Sequence, residues 1–252
     1  MEKSLQGQVA IVTGVSRSQG IGASISRKLA LLGSHLFLSG WPEYDWPSDS
    51  ELERLLRDLR DLGSEVEWMP LDLSLSESPI TLLEAVSSRF DRAHIMINNA
   101  CFWRADSIAT LDAASLDRHY AVNARAPILL SVEFVRRFAE KGARRIISMT
   151  SGQMLGPMPG SIAYAASKAA LDAFTITFAD EVGRYGVTVN AVDPGPTDTG
   201  WMTEEKKQEL LPRHSLGRLG KPEDAARLVA FLASSEADWI TGQTIRSRGG
   251  FC

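Results

Sequence analysis

The chain has 252 residues, with 27 Lys plus Arg against 31 Asp plus Glu, and so a formal net charge of −4. With 44% apolar and 23% charged residues, the composition is that of an ordinary globular protein and excludes a disordered chain or a disulfide scaffold. Mild acidity also argues against nucleic acid as a partner, because there is no broad positive field to bind it. Two cysteines, Cys101 and Cys252, and four dispersed histidines give no metal-ligand spacing, so no metal is expected. No window approaches the roughly 18 apolar residues of a membrane span, and Met1 to Gln6 lacks a signal-peptide core. The expectation is a soluble, cytoplasmic protein with no membrane partner.

In chain order, short apolar runs alternate with helical spacing. Val9-Ala10-Ile11-Val12 reads as a first strand that stops at Thr13-Gly14. Ile21, Ile25, Leu29 and Leu32 follow at helical spacing, with Gly33 at the C-terminal position. His35 to Leu38 is a second strand. Leu52, Leu55, Leu56, Leu59 and Leu62 line a second helix closed by Gly63. Val66 to Met69, His94 to Ile97, Arg145 to Met149, Val187 to Val192 and Gln243 to Ile245 read as further strands. Helices are expected over Pro127 to Glu140, Ile162 to Arg184 and Pro222 to Ala233, the last opened by Pro222 and early acids. Parallel strands joined by crossover helices are buried on both faces, which explains their unbroken apolar character. The fold class is therefore α/β: a single Rossmann-type, doubly wound domain over residues 1–252, with about seven parallel strands and helices on both faces. Ligands of such sheets lie at the carboxyl ends of the strands.

The turn after the first strand, Thr13 to Gly22, carries Gly14, Gly20 and Gly22. Glycines there let backbone N–H groups approach a pyrophosphate at a helix N-terminus. The expected cofactor contacts in this turn are Gly14, Ser16, Arg17, Gly20, Ile21 and Gly22. The second strand ends Leu38-Ser39-Gly40-Trp41 without an acid. A ribose 2′-OH calls for an acid, whereas a 2′-phosphate calls for positive charge or neutral donors. NADP(H) is therefore expected over NAD(H), with Arg17 and Ser39 on the 2′-phosphate; Glu43 and Asp45 are the residues that could instead take a ribose.

Tyr164 and Lys168 stand four residues apart and share a helix face. An ammonium beside a phenol favours the phenolate and lowers its pKa. A phenol so tuned can exchange a proton with a carbinol oxygen. Ser151, just past the fifth strand, can hydrogen-bond the same oxygen.

Together these residues resemble the short-chain dehydrogenase/reductase family nearly end to end. Thr13-Gly14 to Gly20-Ile21-Gly22 is similar to that family's cofactor loop, with a two-residue insertion between Gly14 and Gly20. Asp72-Leu73 resembles the pair at the adenine ring. Asn98-Asn99-Ala100 resembles the family's Asn-Asn-Ala-Gly, with Cys101 in place of the last glycine. Asn123 falls at the catalytic Asn, and Pro194, Gly195, Thr197 and Thr199 match the segment at the nicotinamide carboxamide. The resemblance implies an oxidoreductase in which Tyr164 is general acid or base. Lys168 would hold the nicotinamide ribose, Ser151 would orient the carbonyl, and Asn123 would link Lys168 to solvent through water. Read by themselves, Asn123 could equally fill a helix kink and Asp72 could cap a turn before Ser74. The chain most resembles 3-oxoacyl-carrier-protein reductases, which implies a carbonyl, alcohol or acyl-thioester substrate and a homotetramer or homodimer.

The substrate is expected in loops over the strand ends. Trp103, Met154 and Trp201 are the candidate contacts, and 200–215 is a candidate lid. Arg104, Arg125, Arg136 and Arg137 are candidates for a basic entrance. The alternative is a sensor or scaffold that binds the cofactor without turnover. Lys168 argues against a halohydrin dehalogenase, in which arginine takes that place.

Overall fold

The apolar runs become seven parallel strands in one sheet: β1 Val9–Thr13, β2 His35–Gly40, β3 Val66–Pro70, β4 Ile95–Asn98, β5 Arg144–Met149, β6 Val187–Asp193 and β7 Thr244–Arg246. The structure, a computed structural model, describes residues 4–45, 49–139 and 144–251. Met1 to Lys3, Trp46, the side chain of Asp45, Glu140 at the end of one expected helix and Cys252 lie outside the described part.

Strand order is β3-β2-β1-β4-β5-β6-β7. The chain winds outward from β1 in one direction, then returns to β4 and winds the other way. The crevice beyond the ends of β1 and β4 is the switch point where such sheets bind ligands. Every residue of β1, β4, β5 and β6 is buried, whereas β3 and β7, at the edges, are only partly so. Alternation divides each central strand between two layers. Ala10, Val12 and Ile97 pack under α1 Ile21–Leu31, α3 Asp49–Asp61 and α9 Pro222–Ala233. Ile11, Met96 and Ile146 pack under α4 Ser78–Phe90, α6 Ala126–Phe138 and α7 Ile162–Val182.

The short or weakly patterned segments include α2 Pro42–Asp45, α5 Ala113–Tyr120, a π turn at Ala121–Arg125 and α8 Glu204–Leu210. The helix expected to run to Arg184 ends at Val182 and tightens into a 3₁₀ turn, Gly183–Tyr185, closed by Gly186 at φ 71°. A left-handed closing residue is a role glycine fills without strain.

Candidate active site

The strand ends surround a cavity of about 910 Å³ at the switch point. Its floor on the β1 side is the glycine-rich turn. Gly14 has φ 72°, and a Cβ built there would lie 2.6 Å from Ala100 Cα. A Cβ at Gly22 would lie 2.6 Å from Asn99 Nδ2. These glycines thus let the loop press against the end of β4. Asn99 closes the contact, donating from Nδ2 to Thr13 O at 2.9 Å and Gly14 O at 3.1 Å.

α1 opens from Gly20 with no side-chain cap and no acid in its first turn. The N–H groups of such an end have no intrahelical partner and favour an anion. Gly20, Ile21 and Gly22 line the cavity, so the turn fits a dinucleotide pyrophosphate. The two extra residues are anchored to α3: Ser18 donates its backbone N–H (3.0 Å) and its hydroxyl to Glu51 Oε1. These bonds are the main cause holding the Glu51 carboxyl below the usual carboxylate range. Arg27 Nη1 holds Ser18 O at 2.7 Å. The insertion therefore lengthens the loop without opening the floor. Ser16, Arg17 and Ser39 also line the cavity, and the Arg17 guanidinium stacks 4.6 Å from the centre of the Trp201 ring.

On the opposite wall, Tyr164 and Ser151 both line the cavity. Burial raises the Tyr164 phenol well above its ordinary value; Cys101 and Asp193 add to this, and the nearby Ser151 hydroxyl opposes it. Lys168 was expected to lower the phenol. Its Nζ instead donates to Met149 O at 2.8 Å and lies 6.0 Å from the tyrosine ring centre. The side chain is almost fully buried and stands behind the lining. Cys101, the departure from the family pattern, lines the cavity and directs its Sγ to Phe102 O at 3.6 Å.

Asn123 sits in the π turn, fully buried. Its Oδ1 accepts from Phe102 N at 2.7 Å, and its Nδ2 donates to Phe102 O at 2.8 Å and Ser167 Oγ at 3.0 Å. The amide thus ties the π turn to the loop after β4 and to α7, with its donors spent on protein partners.

Other expected contacts divide cleanly. Asp72, Leu73, Asn99, Ala100, Gly195, Thr197, Thr199, Trp103 and Trp201 line the cavity. Asp72 also accepts from Ser74 N at 2.8 Å, the capping role open to it in the sequence. Asn98 does not reach the cavity. It ends β4 one residue before Asn99, so alternation turns it inward, where Nδ2 bonds Ser131 and Ser148. Pro194 is likewise absent from the lining, and so is Met154, which is 67% exposed although its neighbour Leu155 lines the cavity. None of the four arginines proposed for the entrance lines the cavity. Arg125 donates to Ser74 O, while Arg136 and Arg137 pair with Glu133, and Arg137 also with Glu84. Among the described residues the lining cations are Arg17, Arg118, Lys206, Arg213 and Arg248, with Asp72 the one carboxylate.

Sequence reasoning missed three supports of this site. Tyr44 reaches across from α2, its hydroxyl 3.1 Å from both Trp103 O and Trp103 N. Asp106 caps α7: its carboxylate accepts from Ile162 N at 2.6 Å and Ala163 N at 2.8 Å, while Ser161 at the N-cap supplies no side-chain bond. Arg248, beyond β7, enters the cavity wall. None of these three stands near its partner in sequence.

A family model described as enoyl-(acyl carrier protein) reductase matches residues 14–252. The chain is 48% identical over 249 residues to a Bacillus subtilis protein named as an uncharacterized oxidoreductase, YjdA, covering 98% of this chain and 97% of that one. It is 35% identical to the 3-oxoacyl-[acyl-carrier-protein] reductase FabG of Pseudomonas aeruginosa, covering 98% of each. Among solved structures, a mutant short-chain dehydrogenase/reductase of Serratia marcescens superposes with a TM-score of 0.89 at 33% identity, over 98% of this chain and 99% of that one. With the strand order and cavity just described, these likenesses show that the chain belongs to the short-chain dehydrogenase/reductase family of nicotinamide-dependent oxidoreductases, close to its 3-oxoacyl-carrier-protein reductases.

Proposed function

We propose that this protein is an NADP(H)-dependent reductase that interconverts a carbonyl compound and its secondary alcohol. The observation that carries the reading is that Tyr164 and Ser151 share the wall of a cavity whose floor is the uncapped start of α1. The nicotinamide, when bound, supplies or takes the hydride. Gly20, Ile21 and Gly22 would hold the pyrophosphate through backbone N–H groups. Asp72 and Leu73 would lie along the adenosine, and Gly195, Thr197 and Thr199 along the nicotinamide end. Arg17 shares the cavity lining with Ser16 and Ser39 and, with no acid at the end of β2, would take the 2′-phosphate.

Tyr164 gives its proton to the carbonyl oxygen in reduction and removes the carbinol proton in oxidation. Ser151 donates to the same oxygen and fixes its position, which concentrates developing negative charge at a prepared site. Lys168, held on Met149 O behind the ring, would take the nicotinamide ribose. Asn123 keeps the π turn in shape, and a proton route to solvent would pass along that turn's backbone. Trp103 and Trp201 would flank the substrate. The chain works as one catalytic domain with 200–215 as a lid, in the cytoplasm and as a homotetramer or homodimer. Among the described residues no helix is long and apolar enough to cross a membrane.

Steady-state kinetics with each nicotinamide tests the cofactor assignment. NADPH is expected to give the higher kcat/KM, and Arg17→Ala to erase most of that margin. Equal or better use of NADH by the unmodified protein would overturn the assignment to the 2′-phosphate.

A further inference from the structure

Arg248 is a cation that the proposed proton transfer does not use, yet it is built into the wall beside the reacting centre. Two glycines from different strand ends make room for it. A Cβ at Gly152, next to Ser151, would lie 2.9 Å from Arg248 Nη2. A Cβ at Gly195, at φ 64°, would lie 3.0 Å from Arg248 Cβ and Cγ. The guanidinium therefore lies over the backbone that follows Ser151, with its stem against the segment assigned to the nicotinamide end.

One edge of it is paired: Nε lies 3.5 Å from Asp193 Oδ2, an ion pair without a hydrogen bond between the two atoms, which leaves the outer fork of the guanidinium to be met. Asp193 spends its other oxygen on Gly195 N at 2.9 Å. Among the described residues none accepts a hydrogen bond from the two Nη groups. Phe251, whose ring centre is 5.0 Å from the guanidinium carbon, screens one side, and the side chain is only 14% exposed. A guanidinium held in this way presents a planar fork suited to bidentate binding of a carboxylate. Low exposure strengthens such a pair and excludes competing water. The surrounding field agrees: among the described residues the lining carries five cations and one carboxylate, and although Arg118 pairs with Asp72 and Lys206 with Glu209, the balance is positive on a chain whose net charge is −4.

We infer that Arg248 reads a substrate carboxylate, and that the carbonyl substrate is a short α- or β-oxo acid rather than a neutral ketone. The inference rests on the reductase reading and narrows it. The reacting carbonyl sits on Tyr164 and Ser151, the carboxylate sits on the Arg248 fork one residue along the chain from Ser151, and the remaining substituent faces the aromatic wall.

The test compares acetoacetate with methyl acetoacetate, which keeps the carbonyl and removes the charge, using NADPH as reductant. The unmodified protein is expected to favour the acid by at least about tenfold in kcat/KM, the scale of a hydrogen bond to a charged group. In Arg248→Gln that ratio collapses toward one, chiefly through the KM of the acid, and Arg248→Lys keeps part of it. Butanoate, which cannot react, gives a second readout through tryptophan fluorescence. Its affinity should fall about tenfold in Arg248→Gln. An ester used as well as the acid, a ratio that survives in Arg248→Gln, or unchanged butanoate affinity overturns the inference and leaves the reductase reading standing. If no carbonyl compound, charged or neutral, is reduced, the reductase reading falls and takes this inference with it.

Discussion

Asp106 is the residue through which fold stability and proposed catalysis are most directly linked. Its carboxylate accepts from Ile162 N at 2.6 Å and Ala163 N at 2.8 Å, and its own N–H donates to Gly160 O at 3.1 Å. It thereby clamps the loop after β4 to the start of α7, one residue before Tyr164. In Asp106→Ala both helix N–H groups lose a charged acceptor, and each such bond is worth about 1.5–3 kcal/mol. The Ile162 side chain is 47% exposed whereas Ala163 is fully buried. Water can therefore replace one acceptor but not the other. The net loss should be about 3 kcal/mol, including the favourable charge at a helix N-terminus. For a chain of this size that lowers Tm by roughly 6–12 °C. Asp106→Asn keeps one acceptor and should lose only about 1 kcal/mol. Urea unfolding with a shared m-value measures both. Because displacement of a catalytic group by about 1 Å can cost about 100-fold, kcat should drop at least about tenfold in Asp106→Ala, with NADPH affinity less affected. A loss below about 0.5 kcal/mol together with unchanged kcat would refute the clamp.

Three further outcomes follow from the same geometry. Gly14→Ala combines a left-handed φ with a Cβ 2.6 Å from backbone that cannot yield; it should destabilise by about 2–4 kcal/mol and abolish NADPH binding, as read by urea unfolding and fluorescence titration. Cys101→Ala removes two influences that raise the Tyr164 phenol. The alkaline fall of the reduction rate should then move to lower pH, and a pH–rate profile that stays in place would count against this contact. His94 is held down to about 4 from the usual imidazole value near 6.5, chiefly by burial and then by Arg144 and Arg92. The folded form therefore binds fewer protons than the unfolded chain between those values, so stability falls as pH drops from about 6.5 toward 4. His94→Gln should flatten that acid limb in denaturation measured across the range.

The sheet was legible because buried parallel strands are apolar on both faces, a pattern that survives without any knowledge of partners. Pro222 and its following acids likewise marked α9 to the residue. α4 and α5 were hidden because serines and alanines blur their apolar spacing. The order of Ser151, Tyr164 and Lys168 pointed to the proposed chemistry, since helix period alone puts the last two on one face. What spacing could not resolve was direction. Adjacent Asn98 and Asn99 look alike in sequence but point to opposite layers, and Lys168 lies behind the wall rather than on it. Asp106 and Arg248 act across 56 and 96 positions of chain, where no local pattern reaches.

Tyr164→Phe tests the central claim most directly, because it removes one oxygen and leaves the ring packing in place. NADPH affinity and turnover with a carbonyl substrate should be measured on the same preparation. The account predicts a turnover loss on the order of 100-fold or more, the scale of general acid catalysis, with cofactor affinity within about twofold of the unmodified protein. Turnover preserved in Tyr164→Phe would contradict it and move the proton donor to another residue.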